Sequence, residues 1–197
     1  MDARDGMGAP ALASARLRGG RHVTIRESAP QDAAAITAFL EELCLQARVF
    51  RFFTAGVDVE EMGASLAATG PGRLGLLALD ANDAIVGHAV CIELAPGRAE
   101  VAVELADDLH GEGLGTILIE RLAELAEQRG ISTFVAQVLP DNRAMLDVFR
   151  DGFDAHVRWS DGVDAVEFPT SAWRLARERY AAMFGGLSLT GTQPGES

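Results

Sequence analysis

The sequence predicts an α+β fold: a mixed, largely antiparallel central sheet of about seven strands, flanked by helices. Three observations predict it. Short apolar-alternating runs recur along the chain, two stretches carry apolar residues at helical spacing, and three of the strands follow one another through turns of four residues. A meander of that kind is antiparallel by construction, and helices before and after it must cover the sheet faces.

The elements follow in order. "HVTIRES" (22–28) alternates and reads as the first strand. "APQDAAAITAFLEELCLQARVFRFF" places Ile36, Phe39, Leu40, Leu43 and Ala47 on one helical face, with Asp32 positioned to cap the start. A shorter helix is expected from Asp58 to Ala68. "RLGLLALD", "IVGHAVCIEL" and "AEVAVEL" are the meander strands, separated by "ANDA" and "APGR". "DDLHGEGLGTILIE" reads as a glycine loop opening a helix, whose stripe is Leu114, Ile117, Leu118, Leu122 and Leu125, stopped by Gly130. "STFVAQVL" is a strand, "DNRAMLDVF" a helix, "FDAHVRW" and "VDAVEF" strands about the turn "SDG", and "SAWRLARERYAAMF" a last helix.

The 197 residues suggest one domain, over 21–169. Residues 1–20, rich in Gly, Ala and Arg, read as a disordered lead, and 170–197 as a C-terminal helix with a flexible tail. No apolar run approaches the roughly 18 residues of a membrane span, and the start lacks the apolar centre of a secretory signal. Cys44 and Cys91 form no ligand or redox spacing; both sit in apolar patterns and read as buried thiols, so a cytoplasmic protein is expected. A net charge of −12 argues against nucleic acid as a partner. All 17 basic residues are arginine, so no lysine exists for a Walker-type phosphate loop. No His, Cys, Asp or Glu spacing indicates a metal site, and no pattern indicates a covalent nucleophile.

Chemistry concentrates at His110–Gly115, "HGEGLG". Alternate glycines leave the backbone N–H groups unshielded where a strand turns into a helix, and the helix start favours an anion. The dinucleotide fingerprint requires a third glycine at 116, where Thr116 stands. Just upstream, "AEVAVEL" puts Glu100 and Glu104 on one face of a strand with Cα atoms roughly 13 Å apart, too far to share a proton. His88 reads as a sheet-face residue of the interior.

The loop resembles the acetyl-CoA loop of the GNAT N-acetyltransferases, [QR]-x-x-G-x-[GA]. His110 stands where Gln or Arg is usual, and Glu112 where Arg or Lys is common. The likeness extends over 21–169, through "VTIRESAPQDAAAITAF", "AIVGHAVCIEL" and "AQVLPDNRAMLDVFRDGF". It is strongest, through "RVFRFF", "AEVAVELADD" and "NRAMLDVFRDGF", to a protein-lysine acetyltransferase branch often fused to an ADP-forming acyl-CoA synthetase or a cyclic-nucleotide-binding domain.

That resemblance implies acetyl-CoA as co-substrate, held by His110, Gly111, Glu112, Gly113, Leu114, Gly115 and Thr116 at the pyrophosphate. It implies the backbone of Val103, Glu104 and Leu105 along the pantetheine arm, and Asn142 and Phe149 from the following helix. Many relatives carry a tyrosine acid where Phe149 falls. Tyr180, the one tyrosine, is expected too far off to replace it. Glu100 matches the branch's general base, with Glu104 as the second candidate. The implied acceptor is a protein lysine, of an acyl-CoA synthetase for instance. A small-molecule amine, and a catalytically silent acyl-CoA-binding regulator, are the alternatives. A free lysine has a pKa of about 10.4, so a base is needed near neutrality. Glu112 is expected to turn away and leave the holding to backbone N–H groups; Glu112→Arg is then expected to tighten acetyl-CoA.

Overall fold

The computed structural model describes residues 9–54, 56 and 58–184. Eight strands form one sheet: β1 (Ala11–Arg16), β2 (His22–Glu27), β3 (Arg73–Leu79), β4 (Ile85–Ala95), β5 (Arg98–Leu105), β6 (Thr133–Val138), β7 (His156–Ser160) and β8 (Val163–Pro169). Their order across the sheet is β1-β2-β3-β4-β5-β6-β8-β7. Every pair is antiparallel except β5 with β6. The helices are α1 (Ala33–Glu42), α2 (Leu45–Phe52), α3 (Val59–Ala67), α4 (Leu114–Gln128), α5 (Arg143–Asp147) and α6 (Trp173–Phe184). The α+β reading with a mixed, mostly antiparallel sheet is what the structure has, with one strand more than expected.

The extra strand lies in the segment read as a disordered lead. Ala13, Ala15 and Leu17 are buried while Ser14 and Arg16 are exposed, an alternation that docks β1 on the edge of β2. Arg121 of α4 donates to Leu12 O at 3.2 Å. Residues 1–8 and 185–197 of the expected lead and tail lie outside the described residues.

The long amphipathic run at 31–53 is two helices. Leu43 and Cys44 are both extended, Leu43 is buried as an anchor, and the Cys44 thiol accepts from Ala47 N at 3.4 Å to start α2. Cys44 N donates to Asp107 Oδ2 at 3.0 Å. No Gly or Pro marks this break, so only the tertiary contact reveals it. Cys44 is exposed, contrary to the buried thiol expected; Cys91 is buried, and burial pushes its thiol up to about 12. Asp32 precedes α1 as read, but its carboxylate does not bond α1. It accepts from Ala29 N at 2.8 Å and takes both outer nitrogens of Arg26.

One sheet face packs on α4 and α6 around Leu114, Leu118, Phe134 and Phe168; the other packs on α1 and α3 around Ile36, Leu40, Leu77 and Val90. α6 is bound to α4 by Arg177 on Glu120 and Glu124 and by Trp173 Nε1 on Glu127 at 2.8 Å. No helix among the described residues is long and apolar enough to cross a membrane.

Candidate active site

The site begins where the sheet divides. β5 and β6 pair through only three residues, Arg98–Thr133, Ala99–Phe134 and Glu100–Val135. Beyond Glu100 the strands part. β5 continues against β4 as far as Leu105, and β6 continues against β8. A cleft of about 680 Å³ occupies the fork, lined by Val101–Leu105 on one side and Ala136–Val138 on the other. The glycine loop, the start of α5 and α2 close its ends.

The loop has the conformation its glycines were expected to allow. Gly111 has φ +77° and Gly113 φ +89°, both in the left-handed region, and α4 starts at Leu114. The first bond within α4 runs from Ile117 N to Gly113 O, so the N–H groups of residues 113–116 have no partner inside the helix. The N–H of Glu112, counted as part of the cradle from sequence, is directed to Leu109 O at 3.3 Å. Gly115 is helical, and a Cβ there would make ordinary contact with Leu105 and Met145.

The acid of the loop has a definite place. The Glu112 carboxylate accepts from Gly19 N in the turn between β1 and β2, and Glu112 O accepts from Arg18 N at 3.2 Å. It is engaged by a backbone N–H and is not among the residues that line the cleft. Tyr180, expected to be distant, lies against the loop. A Cβ on Gly113 would sit 2.5 Å from its hydroxyl, and Tyr180 lines the cleft.

Glu100 and Glu104 share a face of β5, as read, but their settings differ. Glu104 lines the cleft and its side chain is 2% exposed. Oε1 meets His88 Nδ1 at 2.7 Å, and Oε2 accepts from Arg51 Nε at 2.7 Å. Burial alone would raise this carboxyl; the charges of Arg51 and His88 outweigh it and hold the group down to about 2. Both oxygens of Glu104 are thus engaged by buried or half-buried partners, whereas those of Glu100 have no such pair among the described contacts. His88 lies in the interior as expected, fully buried and serving that pair. Glu100 is half-buried at the last β5–β6 pair, on the crotch of the fork, and is not among the residues lining the cleft.

Asn142 lines the cleft and also caps α5, its Oδ1 accepting from Met145 N at 3.2 Å. The cap fixes its side chain at the start of α5, on the border of the cleft. Phe149 reaches the cleft wall while its ring packs on Phe168 at 5.5 Å. It falls in a π-helical turn at Val148–Gly152 that re-aims the end of α5. Val103, Leu105, His110, Leu114 and Thr116 line the cleft as well, so the expected binding set apart from Glu112 borders one cavity. Sequence reasoning missed Arg18, Arg51 and Phe50, which also line it. "RVFRFF" was a signal for the last two; nothing in the pattern marked Arg18. Among the described residues no group of His, Cys, Asp and Glu could hold a metal ion.

A model described as the acetyltransferase (GNAT) family matches residues 38–153, more than half of the chain. The chain belongs to the GNAT family. An acetyltransferase of Pseudomonas aeruginosa is 29% identical over 143 residues, covering 67% of this chain and 74% of its own. The GNAT domain of S. lividans PAT is 27% identical, with a TM-score of 0.73 over 82% of this chain and 99% of that one. A cAMP-binding acyltransferase from Mycobacterium smegmatis shares the fold at 19% identity and a TM-score of 0.56; the likeness covers 88% of this chain but 55% of that one. A phosphinothricin acetyltransferase from Sinorhizobium meliloti, solved with AcCoA, shares it at 16% and 0.60, over 75% and 88%. As a GNAT protein the chain is an acyltransferase, and the family's substrates are an acyl-CoA and an amine.

Proposed function

We propose that the chain transfers an acetyl group from acetyl-CoA to a lysine of a polypeptide. The donor half of this reading rests on the cleft: a forked sheet and an N–H-rich helix start at one end suit a pantetheine arm followed by a diphosphate. The AcCoA held by the Sinorhizobium meliloti relative of the same fold agrees with it.

The acceptor half is carried by α2. None of its eight residues is fully buried, yet Leu45 and Phe53 at its ends are 57% and 45% exposed, while Ala47, Phe50 and Arg51 border the cleft. An apolar rim beside a reaction cleft suits an extended chain or a protein surface more than a small polar amine.

In this reaction the amine nitrogen bonds to the acetyl carbon as the carbon–sulfur bond breaks. The thiolate leaves and takes a proton from solvent, since Phe149 has none to give. The N–H groups of Val103 and Leu105, on the edge of β5 turned away from β4, polarise the carbonyl oxygen. Glu100, at the crotch of the fork, removes the amine proton through one water. Glu100→Gln is expected to lower kcat about 100-fold at pH 7 with the KM for acetyl-CoA unchanged. An undiminished rate across pH removes Glu100 from the mechanism.

The acceptor is tested by thiol release from acetyl-CoA with lysine peptides, folded proteins, polyamines and amino acids. Turnover on polypeptide lysines is expected. Turnover confined to free amines sinks the lysine reading, and acetyl-CoA binding with no turnover on any acceptor points to a silent regulator.

A further inference from the structure

The segment Asp107–Gly113 carries three acids and no Lys or Arg, an odd composition for a cradle of phosphates. Each acid is engaged elsewhere. Asp107 accepts from Cys44 N at the start of α2, Asp108 pairs with Arg21 at 2.7 Å, and Glu112 accepts from Gly19 N. Two of the three therefore fasten the loop to the turn between β1 and β2. That turn, with its flanks, carries Arg16, Arg18 and Arg21 and no acid.

The turn is built to be held. Leu17 is buried in the core, Leu17 N donates to Arg21 O at 2.8 Å, and Gly20 N donates to Leu17 O at 2.9 Å. Gly19 allows the close approach: a Cβ there would fall 2.8 Å from Glu112 Oε2. The outcome is that Arg18, with its backbone bonded to Glu112 O, borders the same cleft as Gly111, Gly113 and Tyr180. Its charge is felt at the Tyr180 hydroxyl, which burial raises and Arg18 opposes.

The other arginines of the cleft are differently placed. Arg51 is on Glu104 at the fork, and Arg179 holds Asp151 O and Asp154. Arg143 opens α5.

We propose that the β1–β2 hairpin is a phosphate clamp: Arg18 binds the diphosphate of the acyl-CoA, and Glu112 is the latch that positions it. The positive charge missing from position 112 of the loop is thus supplied by a different part of the chain. This inference rests on the acyl-CoA reading. It also reverses the expectation for Glu112: an arginine there would release Gly19 rather than simply add charge.

The test is calorimetric titration of CoA, dephospho-CoA and S-acetylpantetheine into wild type, Arg18→Gln, Arg18→Lys, Glu112→Ala and Arg18→Gln/Glu112→Ala, with melting temperatures recorded for each. Arg18→Gln is expected to weaken CoA and dephospho-CoA about tenfold, as loss of a charge-assisted hydrogen bond does, and to leave S-acetylpantetheine unchanged. Its affinity should also depend less on salt. Arg18→Lys should recover most of the loss. Glu112→Ala should weaken CoA, and the double variant should be no weaker than Arg18→Gln alone, because the latch acts through the arginine.

Wild-type affinity for CoA in Arg18→Gln overturns the clamp alone. Tighter binding in Glu112→Ala overturns the latch and restores simple repulsion. A loss that vanishes with dephospho-CoA overturns the assignment to the diphosphate. A wild type that binds no CoA overturns both the clamp and the acyl-CoA reading beneath it.

Discussion

Glu104→Gln is expected to destabilise the protein by about 3 kcal/mol, measured by chemical denaturation at pH 7. The carboxylate is nearly inaccessible and both of its oxygens are engaged, by His88 and by Arg51, whose own side chain is only 17% exposed. The neutral amide leaves the guanidinium in a low-dielectric setting without its counter-charge. Arg51→Met/Glu104→Leu should recover much of the loss, because an apolar pair of similar volume removes the uncompensated charge. A loss under about 0.5 kcal/mol in Glu104→Gln would show that the pair carries no structural weight. The pH dependence has a definite sign. Glu104 titrates at about 2 in the folded chain, below an ordinary glutamate at about 4.3. Its contribution is therefore complete above that ordinary value and is lost as the pH falls toward 2. Wild type should lose more stability than Glu104→Gln over that acid range.

Gly113→Ala is expected to abolish measurable acetyl-CoA binding, while Gly115→Ala binds like wild type. The two glycines stand two residues apart in one motif but do different things. At φ +89° an alanine is strained, and its Cβ would meet Tyr180 at 2.5 Å, so the loop or α6 must move. Residue 115 is within α4, and its added methyl would touch Leu105 and Met145 at 3.5 and 3.9 Å, ordinary contact. Titration of acetyl-CoA into both variants decides the matter. Equal affinities would mean that the left-handed turn is not what forms the cradle.

The sequence revealed features that depend on neighbours along the chain. Alternation in "AEVAVEL" put Glu100 and Glu104 on one face, and the spacing of Gly111, Gly113 and Gly115 marked a helix start open to an anion. It did not reveal pairs made by folding. Glu104 and Arg51 are 53 positions apart, and Glu112 and Gly19 are 93 apart. No periodicity links them, so the sequence named both acids but neither of the partners that hold them. β1 is a different failure. Ala13, Ala15 and Leu17 do alternate with Ser14 and Arg16, but alanine is a weak strand former and the Gly, Ala and Arg content spoke for disorder. The register with β2, together with Leu17 in the core, overrode that composition.

The fork between β5 and β6 also leaves an unpaired strand edge in the interior of the sheet. An unpaired strand edge is a template on which another chain can polymerise, and proteins ordinarily place such edges under charge or cover. Here the outer margins of the sheet are β1 and β7, both short, and β7 carries His156, Arg158 and an exposed Trp159. The edge of β5 beyond Glu100 lies in the middle of the sheet, with α2 and the glycine loop at its ends. The unpaired edge is thus held inside the sheet, bordered by the cleft on one side and by β4 on the other, rather than at an outer margin.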